Sequence, residues 1–422
     1  MKLARFVLAC AVFTITLQAA VAQTTVIHAG TLIAEPGTPP KSKQSILVDN
    51  GRITKIVDGF VPGDTVIDLS RSCVLPGLID MHTHVTGMEV LDEMAPARWA
   101  TDRVLERQSI AALAAVPVVR MILRHGFTTI RNLGDPASVT YDLRDAIASG
   151  KIDGPRMLVS EPQFTTAGGG LKGWGLRMSR EVTPLLVNRG ECSGVDDCRR
   201  AVREEVERGA EVIKIRLSDL AAVDRRIHSV EYQDELDALI ETAHRLGRTV
   251  AVHTGGVEAE TMMAVTAGAD TLEHGPQSPT ILGAMKRKGI SFTPTLFIYR
   301  LTQPILKKHG ITRDYYGESQ ASVLAAKQMG VRILYGTDLQ PLTVSQESAE
   351  FGELVAAGLT PGEALMAATV NASRALHMED QIGSIAPGKE ADIIAVDRDP
   401  LTDIHAMEEI SFVMKGGVRI VP

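Results

Sequence analysis

Between residues 76 and 378 short apolar runs alternate with amphipathic stretches, and this alternation constrains the fold more than any other feature of the chain. The runs are Leu78-Ile79-Asp80-Met81, Thr128-Thr129-Ile130-Arg131, Met157-Leu158-Val159-Ser160 and Val212-Ile213-Lys214-Ile215, then Val250-Ala251-Val252-His253, Thr271-Leu272-Glu273-His274, Phe292-Thr293-Pro294-Thr295 and Ile333-Leu334-Tyr335-Gly336. Each has the length of a strand. Between several of them, stretches such as Asp234 to Leu246 and Glu258 to Ala267 carry the apolar spacing of a helix with one buried face. Eight such units over about 300 residues predict an α/β fold, a (β/α)8 TIM-like barrel. A doubly wound open sheet is the alternative, but it would not gather so many strand ends round one centre.

The two ends of the chain read differently. Thr25 to His28, Ser45 to Val48 and Arg52 to Val57 are short β-elements, and Asp49-Asn50-Gly51 between the last two is a hairpin signal. The C-terminal part repeats this character in Asp392 to Val396, Ile410 to Met414 and Val418 to Ile420. These ends predict a small β-sandwich assembled from residues 23–75 and 379–422, flanking the barrel at 76–378.

Residues 1–22 read as a secretory signal peptide. Lys2 and Arg5 precede the apolar run Phe6 to Leu17, and Ala20-Val21-Ala22 offers a cleavage site before Gln23. The apolar run is too short to span a bilayer, so no membrane association is expected after cleavage. The expected destination is secretion, to a bacterial periplasm. There Cys192 and Cys198, which bracket a polar turn, are candidates for a local disulfide. Cys73 lies in an apolar stretch and reads as a buried thiol. A net charge of −7 and a pI near 5.9 argue against nucleic acid or an anionic membrane as the main partner.

Polar residues of metal-binding type collect at the strand ends. His82 and His84 close the first run as His-Thr-His, and alternate residues of an extended chain point to the same side. Lys214 stands inside an apolar strand, where an ammonium is costly unless paired or neutralised. His253 and His274 end the fifth and sixth runs, and Asp338 follows the eighth in Gly-Thr-Asp. In a barrel, the C-terminal ends of the strands surround one site. Singly each has an ordinary explanation; Asp338, for example, could cap the next helix. The set of six is what points to a metal centre. The histidines at 28, 125, 228, 244, 309, 377 and 405 fall on helical, terminal or loop segments and read as structural or solvated.

At this point the chain resembles a family. Gly77-Leu78-Ile79-Asp80-Met81-His82-Thr83-His84 looks like the opening signature of the amidohydrolase superfamily, and Leu272-Glu273-His274-Gly275 and Gly336-Thr337-Asp338 resemble its later motifs. Gly383 to Asp392 resembles its return into the β-sandwich. The Lys214 strand, and the helix before His253, are most similar to the imidazolonepropionase-like branch and within it to the Xaa-Pro dipeptidase and carboxypeptidase-like group. The resemblance implies two divalent ions, usually Zn²⁺. His82, His84 and Asp338 would hold the more buried ion and His253 and His274 the more exposed one. Lys214, carboxylated by CO₂, would bridge them. It further implies that water held between the ions attacks the carbonyl of a small-molecule amide, with Asp338 as general base and then general acid. Homo-oligomers are frequent among such proteins.

One departure from the group's pattern stands out. Where relatives commonly carry Gly-Gly-His after the third strand, this chain reads Ala167-Gly168-Gly169-Gly170-Leu171-Lys172-Gly173-Trp174. Lys172 is a candidate electrostatic substitute for the absent histidine. Tyr232, Arg216, Tyr299 and Arg300 are further candidates for holding a substrate carboxylate. The expected substrates are dipeptides, N-acyl amino acids or related amides. Cyclic amides, lactones and organophosphates are the alternative on the same site, and a non-catalytic binding barrel is the third reading.

Overall fold

The computed structural model describes residues 24–87, 107–135, 139–167, 190–217, 232–255, 257–308, 310–341 and 343–420. The expected signal segment lies outside the described residues. Strands β1 (Thr25–Leu32), β2 (Lys41–Asp49), β3 (Arg52–Asp58) and β4 (Thr65–Pro76) precede the barrel. The barrel strands are β5 (Leu78–Thr83), β6 (Phe127–Leu133), β7 (Arg156–Ser160), β8 (Gln163–Thr166), β9 (Glu191–Cys192), β10 (Val212–Arg216), β11 (Thr249–His253), β12 (Thr271–Glu273) and β13 (Ser291–Thr293). β14 (Ile393–Val396), β15 (Ile410–Lys415) and β16 (Val418–Ile420) follow it.

Both ends of the chain build one seven-stranded sheet in the order β16-β15-β14-β4-β1-β2-β3. Ile27, Ile46, Val74, Ile393 and Phe412 are buried together in its own core. The hairpin at Asn50-Gly51 forms with positive φ at both residues, 48° and 77°, which matches the twist of the strands it joins.

The barrel wall is parallel and runs β5-β6-β7 in one sheet and β8-β10-β11-β12-β13 in another. The third wall position differs from the single strand expected at Met157 to Ser160. It is split, with β7 pairing to β6 and β8 pairing to β10. Pro162 stands between the halves and has no N–H to give to a ladder. The eighth position differs too. Ile333 to Gly336 is not a laddered strand but a segment held by isolated bridges, Phe292 to Ile333 and Thr83 to Leu339. Backbone bonds from Leu334 N–H to Phe292 O (2.8 Å) and from Met81 N–H to Tyr335 O (3.0 Å) complete the ring.

Cys192 and Cys198 form a disulfide that ties β9 to the helix Val195–Arg208. Cys73 is a buried free thiol. No helix among the described residues is long and apolar enough to cross a membrane.

Candidate metal centre and active site

The inward faces of five wall elements meet at one end of the barrel. His82 on β5 and His84, which directly follows that strand, place their rings 5.3 Å apart. Asp338 Oδ1 lies 3.1 Å from His84 Nε2 and 3.5 Å from His82 Nε2, so one atom from each of the three residues falls within 4.8 Å of the others. Lys214 Nζ approaches His82 Nε2 to 3.3 Å from β10. The His274 ring is centred 4.3 Å from that of His82, and the His253 ring 4.7 Å from that of His274. All six candidates of the sequence therefore converge.

Backbone geometry aims them. His274, Thr295 and Asp338 are non-glycine residues with φ of 64°, 50° and 54°. Left-handed backbone at such residues costs about 1–3 kcal/mol each and clusters where function demands it. Here it ends β12 and β13 one or two residues before the sequence runs stop. It also turns His274 and Asp338 toward the centre. Gly336 makes room for them: a Cβ there would lie 2.3 Å from Thr293 Cγ2 and 3.1 Å from His82 Cβ.

A second layer orients the rings. His82 Nδ1 bonds to Glu273 Oε2 at 2.9 Å, His274 Nδ1 pairs with Thr295 Oγ1 at 2.8 Å, and His84 Nδ1 bonds to the Gly134 carbonyl. With Nδ1 so engaged, each Nε2 is directed inward. Glu273 is in turn held by Arg131, whose Nη2 donates to Oε1 at 2.7 Å. Asp80, buried beside them, accepts from the backbone N–H of His82 (2.8 Å) and the hydroxyl of Thr337 (2.6 Å). Arg131, Glu273, Asp80 and Thr337 were not among the expected site residues. For Arg131, Glu273 and Asp80 the available signal was the one that marked Lys214, a charged side chain inside an apolar strand; Thr337 carried none.

The electrostatics suit a cation. Burial pushes His82, His253 and His274 well below the usual imidazole range, and neighbouring cationic groups add to this, so their lone pairs are available. Burial likewise lowers the Lys214 ammonium to about 7. Burial opposes charge on Asp338, but His274, His84 and Lys214 outweigh it and hold the carboxyl below its ordinary value. His84 is the exception. Hydrogen bonds to Asp135 and Asp338 overcome burial and raise it to about 9. A proton there occupies the place between imidazole and carboxylate that a metal would take. Neutral imidazoles with fixed Nδ1 partners, one carboxylate and a buried lysine form a donor set suited to Zn²⁺.

The substrate-side candidates fare differently. Lys172 lies outside the described residues. Tyr232 is 69% exposed at the start of the helix Gln233–Arg245 and makes no part of the cluster. The Tyr299 hydroxyl accepts the Gly275 N–H at 2.9 Å, next to His274. Arg300 is paired with Glu353 at 2.6 Å. Arg216, two residues beyond Lys214, is buried at the end of β10.

Residues 73–420 match the model of the amidohydrolase family. The chain belongs to that family. This amidohydrolase is similar to ochratoxinase of Aspergillus niger, 30% identical over 94% of this chain and 86% of that one. Among solved structures it is similar to a Xaa-Pro dipeptidase with bound methionine in its active site, 28% identical, with a TM-score of 0.78 over 94% of this chain and all of the other. It is also similar to a prolidase complexed with N-methylphosphonate-L-proline, 26% identical, with a TM-score of 0.81 over 94% and 99% of the two chains. These relatives, with an imidazolonepropionase of Fusobacterium nucleatum 24% identical over 83% of this chain, place it in the imidazolonepropionase-like, dipeptidase-like part of the family, on an amidohydrolase barrel.

Proposed function

We propose that this amidohydrolase is exported and uses two divalent metal ions, Zn²⁺ by donor type, to hydrolyse the amide bond of dipeptides, N-acyl amino acids or related amides. The observation that carries this reading is the meeting of His82, His84, Lys214, His253, His274 and Asp338 at one end of the barrel. His82, His84 and Asp338 would hold the buried ion, and His253 and His274 the outer one. The names of the similar dipeptidase and prolidase support amide substrates. A disulfide persists in an oxidising compartment, which supports export to the periplasm.

When bound, the ions acidify a water to a nucleophile at neutral pH and polarise the scissile carbonyl. The remaining work belongs to the chain. Lys214 Nζ, as the free amine, would add to the carbon of CO₂ and release one proton, so that a neutral buried amine becomes a carbamate anion able to serve as a metal ligand. Asp338 takes the proton of the attacking water and delivers it to the leaving amine nitrogen. Glu273 and Asp80 keep His82 in place during that transfer.

The test is metal content by mass spectrometry on the purified mature protein and on Lys214→Ala. Roughly two ions per chain in the wild type, with loss of at least one of them and of activity in the variant, is the expected result. A single ion, bound equally well without Lys214, would overturn the bridged centre.

A further inference from the structure

Outside the barrel wall, a cavity of about 440 Å³ opens between the helices Glu258–Ala267, Pro279–Lys288 and Tyr315–Met329. Its size is within the roughly 300–1,000 Å³ usual for small-molecule sites. None of the six residues of the metal centre lines it. Pro276, Pro279, Ile281 and Ala325 give it an apolar side.

Gln277, 6% exposed, lines the cavity and joins it to the metal centre. Its Nε2 donates to the His274 carbonyl at 3.0 Å and to Thr254 Oγ1 at 2.9 Å, and Thr254 directly follows His253. A carbonyl can only accept, so the amide is fixed with its nitrogen toward His274. Oε1, on the other branch of the same amide, has no partner among the described residues. The backbone N–H of Gln277 is held by Ser322 Oγ of the third helix at 2.8 Å.

Two carboxylates and one guanidinium line the cavity. Arg313 gives Nε and Nη2 to Glu318 Oε2 at 3.0 and 2.8 Å and lies over the Tyr315 ring, so that pair is neutral. Glu258 has no ion pair among the described residues. Two helix starts face the cavity and would by themselves favour an anion. Pro279, however, has no N–H, the Ile281 N–H goes to Ser278 Oγ, and Glu258 and Glu260 stand in the first turn of the other helix. What remains unanswered is the capacity to accept, at the Glu258 carboxylate and at Gln277 Oε1.

We propose that this cavity binds a small primary ammonium with an apolar body, and that its occupant is coupled to the metal centre through Gln277. The occupant gives an N–H to Gln277 Oε1, carries its charge toward Glu258 and lays its apolar body on Ile281 and the two prolines. A donor on Oε1 strengthens the two inward bonds of the same amide. Occupancy therefore tightens metal binding, and metal tightens the occupant by the same factor. The cavity stands without the hydrolase reading; only the coupling rests on the metal centre of that reading.

The probe is benzylammonium at pH 7, with benzyl alcohol as the uncharged control and phenylacetate as the anionic one. Each is titrated calorimetrically into the metal-loaded full chain, Glu258→Gln and Ala321→Trp, with metal content and melting temperature followed. Ala321 lines the cavity from an exposed helix position, so a tryptophan there fills the space without entering the core. The wild type is expected to bind benzylammonium with a Kd on the order of 1 mM, benzyl alcohol more weakly and phenylacetate not at all. Glu258→Gln should lose about fivefold on the ammonium alone, and Ala321→Trp should lose binding while keeping its metal. Chelator competition then reads the coupling: saturating benzylammonium should raise metal affinity about fivefold in the wild type and not in Ala321→Trp.

Binding that survives Ala321→Trp places the amine on the metal or elsewhere and overturns the site, as does a preference for phenylacetate. If Ala321→Trp does not fold, Glu258→Gln decides, and equal losses on ammonium and alcohol overturn the site. Binding with unchanged metal affinity overturns the coupling. A wild type that holds no metal overturns the metal reading and the coupling, while the three titrations still decide the cavity.

Discussion

Glu273 Oε2 lies 2.9 Å from His82 Nδ1, and it reaches that ring from β12, three wall positions away from β5. The same carboxylate takes the Arg131 guanidinium on its other oxygen. One buried anion thus sets the tautomer of a candidate metal ligand and neutralises a fully buried cation.

Glu273→Gln separates these two duties. The neutral amide is a poorer partner for an imidazole N–H, and metal affinity is expected to fall about 10- to 100-fold. Arg131 is left without its counter-charge, which costs about 3 kcal/mol in the metal-free protein. Competition with a chelator reads the first effect and denaturant unfolding the second. Wild-type metal affinity in the variant would remove Glu273 from the site.

Gly336→Ala drives a Cβ into Thr293 Cγ2 and crowds His82. Overpacking of this kind costs about 1–3 kcal/mol, and displacement of His82 lowers metal occupancy. Thr293→Ser deletes the clashing methyl. The double variant is expected to recover much of the stability; if it is no better than Gly336→Ala alone, the close contact is not the cause.

Asp80 gives the metal-free protein a pH dependence of known sign. Burial raises its carboxyl from 3.8 to about 7, against the hydrogen bonds that favour its charge. Between those values the native state retains a proton that the unfolded chain has released. Its contribution is therefore fully present below pH 4 and is lost as pH rises toward 7, by on the order of 4 kcal/mol. Asp80→Asn does not titrate. Denaturant unfolding in chelator from pH 4 to pH 8 should show wild type losing stability relative to the variant; a constant difference would refute the assignment.

Reduction of Cys192–Cys198, or Cys192→Ala with Cys198→Ala, removes a short covalent loop worth roughly 2 kcal/mol in the chain-entropy account. Thermal unfolding with and without reductant measures it. Identical midpoints would mean that β9 and the following helix are held by packing alone.

The barrel was legible because apolar runs and amphipathic stretches have different periods, and the cluster because its members are polar residues closing apolar strands. What was not legible depends on distant partners or on backbone choice. Arg131 and Glu273 stand 142 positions apart, and no local pattern announces that their charges cancel across a barrel. The early ends of β12 and β13 come from left-handed His274 and Thr295, residue types that carry no turn signal of their own. The split of the third strand was written in Pro162, which the apolar run before it obscured. Tyr232, expected near a strand end, stands exposed at the start of the helix Gln233–Arg245, a difference that depends on burial by distant parts of the chain.

β4 has β1 on one side and β14 on the other. During synthesis, that second edge waits through the whole barrel for Ile393–Val396 to emerge. That uncovered edge, Cys73 to Pro76, is a template for any other strand nearby. Production of this protein is thus a race between its own last strands and those of its neighbours, decided by translation rate, temperature and crowding of nascent chains rather than by the stability of the finished fold.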